Sequence, residues 1–263
     1  MRKYILGVAG LIIILFALTT ISWTPATKNI KQPVLAISPD TLYNAYINRL
    51  YDTVGLAGSG LSVNVFEKAV TGFYNLKSAG KIAADKSILT IADFDQSSTK
   101  KRLWIVDLDK KAIILNTWVA HGRGSGDDKA TRFSNTSDSH QSSMGFYVTG
   151  EIYRGQHGRS LRLDGMDQGF NSNARKRAIV VHGADYVGQG TINALGRLGR
   201  SHGCPAVAPE LTDEIINTIE GKTVMFINVN DNSYTSKYLD HHMAAMFASG
   251  PVEQSKPDTA LSI

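Results

Sequence analysis

The sequence predicts a β-rich, mixed α+β domain preceded by a helical hairpin, and two observations carry that prediction. From Lys86 onward the apolar period shortens to that of strands, giving seven short β-type segments separated by polar turns. Ahead of them lie two stretches whose apolar residues recur at helical spacing. Seven short strands with little helix among them fit a sandwich or barrel carrying one or two helices.

The chain opens with MRKYILGVAGLIIILFALTTISWTPATKN, in which Arg2 and Lys3 precede an apolar run from Ile5 to Ile21. This is an export signal, and its run approaches the ~17–25 residues that span a bilayer. Residues 1–26 therefore read as a signal peptide or a membrane anchor, with Thr24-Pro25-Ala26 a poor cleavage site. Because the positive charges hold the N-terminus on the cytoplasmic side, the rest of the chain is expected in the periplasm or on the outer face of the cytoplasmic membrane. No cysteine follows the run, which excludes a lipid-anchored lipoprotein.

Residues 27–85 form the helical segment. In SPDTLYNAYINRLYDTVGL, Leu42, Tyr43, Tyr46, Ile47, Leu50, Tyr51 and Val54 share one helical face behind a Ser38 cap. A second helix follows in GLSVNVFEKAVTGFYNLKSAG, with Ser62 as cap, Leu61 and Phe66 as a hydrophobic staple and Gly80 as the stop. Residues 86–230 form the main domain, with strands in SILTIADF, RLWIVDLD, AIILNTWVAHG, GFYVTGEIY, SLRLDG, AIVVHG and TVMFINV, and a helix in PELTDEIINTIEG. Between Gly122 and Ser143 glycine and serine crowd a stretch too long for a tight hairpin, the mark of a functional or mobile loop. Residues 231–263 read as a largely disordered tail with one short helix around Tyr238 to Phe247.

The net charge of +5 over 263 residues comes with no basic run and no aromatic–basic interleaving, so nucleic acid is excluded as a partner. HGRGSG lacks the lysine and hydroxyl residue of a phosphate loop, so no nucleotide is expected, and no cofactor is. Cys204 is the single cysteine and cannot form an internal disulfide. It stands in GRLGRSHGCPAV as an inert buried thiol, an intermolecular link, a metal ligand or a nucleophile. A zinc site from His182, His202 and Cys204 lacks the second cysteine or paired histidines that such sites carry.

A nucleophilic thiol needs a base within hydrogen-bond reach. Four of the seven histidines precede a glycine: His121, His157, His182 and His202. His182 ends the apolar run AIVV, so it projects from the end of a buried strand, with a glycine that lets the chain turn and leaves a carbonyl to orient the imidazole. His121 has the same layout after NTWVA, whereas His157 falls in a hairpin turn and reads as exposed. Amides around Gly203 could converge as an oxyanion hole, and Arg197 and Arg200 are either carboxylate binders or solvated surface.

Taken together, VVHGADYV, GRSHGCPAV and the strand entry QSSMGFYVTG resemble the L,D-transpeptidase (YkuD-type) catalytic domain, over roughly Ile88 to Val229. The resemblance implies an L,D-transpeptidase-like β-sandwich or barrel. It also implies that Cys204 is the nucleophile, His182 its base, the Gly183 carbonyl the group orienting the imidazole, and Ser201, His202 and Gly203 the shapers of the site. Arg200, Arg197, Tyr186 and His121 are the candidate substrate binders. The implied activity is transfer of an acyl group of the peptidoglycan stem peptide through a thioester. A carboxypeptidase or endopeptidase using the same thioester, or a non-catalytic wall-binding protein, are the alternatives. The sequence departs from the family in the eighteen residues between His182 and Ser201, slightly more than the best-known members carry, and in Ala206, where those members carry asparagine or arginine.

Overall fold

Ser38 opens the first helix, α1 (Pro39–Val54), by accepting a hydrogen bond from the Thr41 amide at 3.2 Å, and Gly55 closes it in the left-handed conformation at φ 75°. Tyr43, Ile47, Leu50 and Val54 are buried along one stripe, while Leu42, expected on that stripe, is left exposed. After a 3-10 turn (Leu56–Ser59), Ser62 caps α2 (Val63–Ser78), which ends just before Gly80 at φ +64°. The computed structural model describes residues 38–248. The export signal expected over 1–26 and the tail beyond residue 248 lie outside them. Among the described residues no helix is long and apolar enough to cross a membrane.

Three strands follow: β1 (Ile88–Asp93), β2 (Leu103–Asp107) and β3 (Ala112–Thr117). Then come the hairpin β4 (Gly145–Gly155) and β5 (Gly158–Gly165), the short β6 (Val180–Gly183), helix α3 (Gln189–Leu195), and β7 (Ala206–Val207). Helix α4 (Thr212–Ile219), strand β8 (Val224–Asn228) and helix α5 (His241–Ala248) complete the described chain. The predicted seven strands gain an eighth, β7, and α3 was not expected. α3 buries no residue, so it leaves no amphipathic trace in the sequence.

All eight strands form one sheet in the order β3-β2-β1-β8-β4-β5-β6-β7. β8 joins β1 in parallel and β4 in antiparallel register, so the last strand in sequence lies at the centre. Beyond β3 the chain returns to the far edge, where Ala120 and Ala206 form an antiparallel bridge with N···O distances of 2.8 and 3.3 Å. The bridge curls the sheet toward a barrel.

The strands alternate their side chains between two cores. Leu89, Ile91, Trp104, Val106, Phe146, Val148, Val224 and Phe226 share one core with α1, α2 and α5. Leu103, Ile105, Tyr147, Leu161, Leu163, Met225 and Ile227 share the other with Ile215, Ile216 and Ile219 of α4. The helical segment thus covers one face of the sheet. Helix α2 comes so near that a Cβ on Gly72 would lie 2.0 Å from the Phe146 ring. Trp104 donates to Ser59 Oγ at 2.9 Å, and Asn75 donates to the carbonyls of Tyr238 and Asp240 at 2.9 and 2.8 Å, fastening the segment that leads into α5.

Candidate active site

Two parallel strand ends build the site. β6 pairs with β7 so that His182 stands opposite Ala206, and Cys204 lies two residues before Ala206 in the turn that enters β7. His182 is buried at the end of its strand, and its Nδ1–H donates to the Gly183 carbonyl at 2.8 Å. That bond leaves Nε2 as the nitrogen available to a proton donor. Cys204 is partly buried, and its thiol lies 3.7 Å from the carbonyl oxygen of Ala178, a non-glycine residue at φ +52°.

The Cys204 turn is braced from below. Ser201 Oγ donates to the Cys204 carbonyl at 2.6 Å and accepts from the Gly203 amide at 3.0 Å. Ser142 Oγ donates to the Gly203 carbonyl at 3.1 Å. Gly203 sits at φ +121°, and a Cβ there would fall 2.7 Å from the Gln141 carbonyl oxygen, so the turn requires glycine. These contacts correct one expectation: the Gly203 amide is committed to Ser201 and is not free to serve an oxyanion.

Cys204, His182, Ser201, His202, Tyr186 and Arg200 line one cleft of about 760 Å³. Gly183 borders a second cleft of about 570 Å³, which meets the first at Gln156, His157 and Tyr186. Arg200 donates to the Gly126 carbonyl at 2.8 Å and lies 3.1 Å from Asp127. Two proposed substrate binders do not reach the main cleft. Arg197 pairs with Asp127 at 2.8 Å and caps the Leu198 carbonyl, and His121 is 1% exposed behind the site, accepting from Arg102 at 2.8 Å. Burial, helped by Arg102, holds the His121 imidazole down at about 4. Ala206 is wholly buried between His182 and Ala120, so the position at which the sequence departs from the family does not open on the cleft.

The structure adds residues that the sequence did not single out. Arg177 points to the Cys204 turn from the segment before β6, its Nη2 lying 3.3 Å from where a Gly203 Cβ would be. Its guanidinium donates to the carbonyls of Ser134 and Gln141 and to the hydroxyls of Ser143 and Ser139, pinning the long loop beside the cleft. His140, in that loop, meets His202 edge-on with centroids 4.4 Å apart. His157 stacks on His182 at 4.3 Å and 21°. The expectation of His157 as a bystander in an exposed turn is therefore incomplete. No local pattern marks Arg177 and His140, and the glycine after His157 marked the residue but not its place against the base.

Burial raises the Cys204 thiol, an effect opposed by the Val180 amide and by Arg177. Burial also lowers His182, opposed by the Gly183 carbonyl and reinforced by His157. Both shifts favour the uncharged thiol and imidazole over the thiolate–imidazolium pair. Tyr186 is pushed up to about 12 by burial and by Cys204. Lys176, Arg177 and Arg200 stand against Asp138 in the lining and Asp127 paired with Arg200, which leaves the cleft modestly positive. Among the described residues no group of three or more histidines, cysteines and carboxylates could hold a metal ion.

Residues 57–228 match a family model described as the L,D-transpeptidase catalytic domain, a span that takes in α2 as well as the sheet. None of the curated proteins matches the chain. Among solved structures it is similar to an L,D-transpeptidase from Mycobacterium smegmatis, at 11% identity and a TM-score of 0.33 over 54% of this chain and 59% of that one. An L,D-transpeptidase from Stackebrandtia nassauensis gives 14% identity and 0.33 over 74% and 81%. The helical cell shape determining protein Pgp2 from Campylobacter jejuni gives 12% identity and 0.40 over 68% and 61%. The chain thus spans less than two thirds of the M. smegmatis protein.

Proposed function

The chain belongs to the L,D-transpeptidase catalytic-domain family, and from that premise we propose that it is an exported cell-wall acyltransferase that works on peptidoglycan stem peptides through a Cys204 thioester. The observation that carries this reading is the meeting of Cys204 and His182 in one cleft, with Nδ1 of the histidine tied to the Gly183 carbonyl. Cys204 Sγ attacks the amide carbonyl of the donor stem while His182 Nε2 takes the thiol proton. Collapse of the tetrahedral intermediate breaks the C–N bond, and His182 returns the proton to the departing amine. An amine of a second stem then attacks the thioester, loses a proton through His182, and leaves a new amide and a free thiol.

In this scheme the pair rests neutral, so the proton moves during attack and not before it. The Gly203 amide being occupied, the amide of Cys204 itself is the oxyanion donor. Arg200 and Arg177 offer the positive charge that a carboxylate-bearing stem requires, and Ser201 holds the nucleophile's backbone. His202 walls the cleft against His140.

Mass spectrometry of muropeptides incubated with the exported portion tests the proposal, with wild type beside Cys204→Ala. We expect a mass change with wild type only, and His182→Ala slower by ~10²- to 10⁴-fold. Joined stems indicate transpeptidation, and trimmed stems indicate the peptidase alternative with water as acceptor. Unchanged muropeptides in both samples leave a wall-binding role.

A further inference from the structure

Resting on the reading of His182 as base, we propose that His157 is a positioning residue for it, a second imidazole whose stack on His182 fixes the ring and keeps it unprotonated into mildly acidic solution. The β4–β5 hairpin turns through Gln156 and His157 alone, between Gly155 and Gly158, which stand opposite each other, with Gly158 at φ +72°. Such a tight turn leaves little freedom in where its side chains go. β5 also pairs with β6, Ser160 facing His182, so the hairpin tip lies beside the base. The rings lie 4.3 Å apart and 21° from parallel, and Gln156 Nε2 is 3.0 Å from His157 Nε2. With the amide donating, that nitrogen accepts, as a neutral imidazole does.

Two consequences follow from this geometry. The Gly183 bond holds one edge of the His182 ring and His157 covers one face, so rotation out of line with the cleft is resisted from two directions. Two imidazolium ions at this separation repel strongly, so the stacked pair takes up its first proton much more readily than its second. His157 is exposed and His182 is buried, so burial and the neighbouring ring both resist a charge on the base.

The surrounding charges act in the same direction. The hairpin contributes Tyr153, Arg154 and Arg159, and the turn at the nucleophile contributes Arg200, His202 and Cys204. From the loop and the segment before β6 come Asp138, His140, Lys176 and Arg177. After β6 come Asp185 and Tyr186, and α4 contributes Asp213, already paired with Arg159 at 2.9 Å. Positive groups exceed carboxylates around the pair, so only the Gly183 carbonyl works against the lowering of His182.

The test is the titration of the His182 ring by NMR, with the pH dependence of Cys204 alkylation by iodoacetamide and of muropeptide turnover, in wild type, His157→Ala and His157→Phe. His157→Ala should raise the His182 midpoint by about half a pH unit or more and carry the acid limbs of alkylation and turnover up with it. His157→Phe keeps a ring on the base without its charge and should give a smaller rise. An unchanged His182 midpoint in His157→Ala overturns the proposal, even if activity falls. Titration and alkylation do not require the wall substrate, so a protein without turnover whose midpoint still moves would retain the coupling and lose only the transferase reading.

Discussion

Arg177 shows how one side chain can serve both loop and thiol. Its guanidinium makes hydrogen bonds to four residues of the loop beside the cleft, and its charge draws the Cys204 thiol down against the upward push of burial. Arg177→Met should move the pH midpoint of Cys204 alkylation upward, and Arg177→Lys should restore part of the shift without the loop contacts. An Arg177→Met midpoint equal to that of wild type would reduce the residue to a loop clamp. Cys204 and His182 were legible as residues, one because it is the single cysteine and the other because it closes an apolar run before a glycine. Arg177 and His140 were not, and His157 was legible only as an exposed hairpin histidine, since their partners are set by which strands pair and which loop folds back.

Among the elements, β2 and the stretch after β3 meet in a buried polar knot. Arg102, wholly buried, donates to the Val119 carbonyl at 3.2 and 3.1 Å and to His121 Nδ1 at 2.8 Å. His121 falls to about 4 when folded, whereas an unfolded histidine titrates near ~6.5. Above that pH neither state carries the proton and stability is unaffected. As pH falls from ~6.5 toward 4 the unfolded chain takes up a proton that the folded one refuses, at a cost of roughly 3 kcal/mol. Urea midpoints should therefore drop between pH ~6.5 and ~4.5, with His182 adding in the same direction, and His121→Asn should flatten the drop. An equally steep drop in that variant would place the sensitivity elsewhere. The long strands were readable from alternation, but the two residues of β7 are too few to show a period, and the sequence could not reveal that they close the sheet against Ala120.

For the whole molecule, the helical segment and the sheet share one core, so the sequence-based division at residue 86 marks a change of periodicity within a shared hydrophobic layer. Gly72 sets the separation of that layer from the sheet. Gly72→Leu should cost ~1–3 kcal/mol or more by forcing α2 off Phe146, seen as a lower melting temperature, while the Cys204 alkylation profile of the folded protein stays as in wild type. A matched loss of thiol reactivity in folded protein would mean that the helices govern the site. The predicted short helix near the C-terminus is present as α5, and the strand after Thr223 was legible from its apolar run. Its central place in the sheet was not, because strand order follows from long-range pairing.

That central place bears on when the protein can fold. β1–β3 and β4–β6 each zip from neighbours in sequence, and β8 is the one strand that pairs with both ladders, β1 on one side and β4 on the other. Asn75 likewise waits for the carbonyls of Tyr238 and Asp240. A chain threaded from its N-terminus therefore cannot complete its sheet until this last strand has emerged.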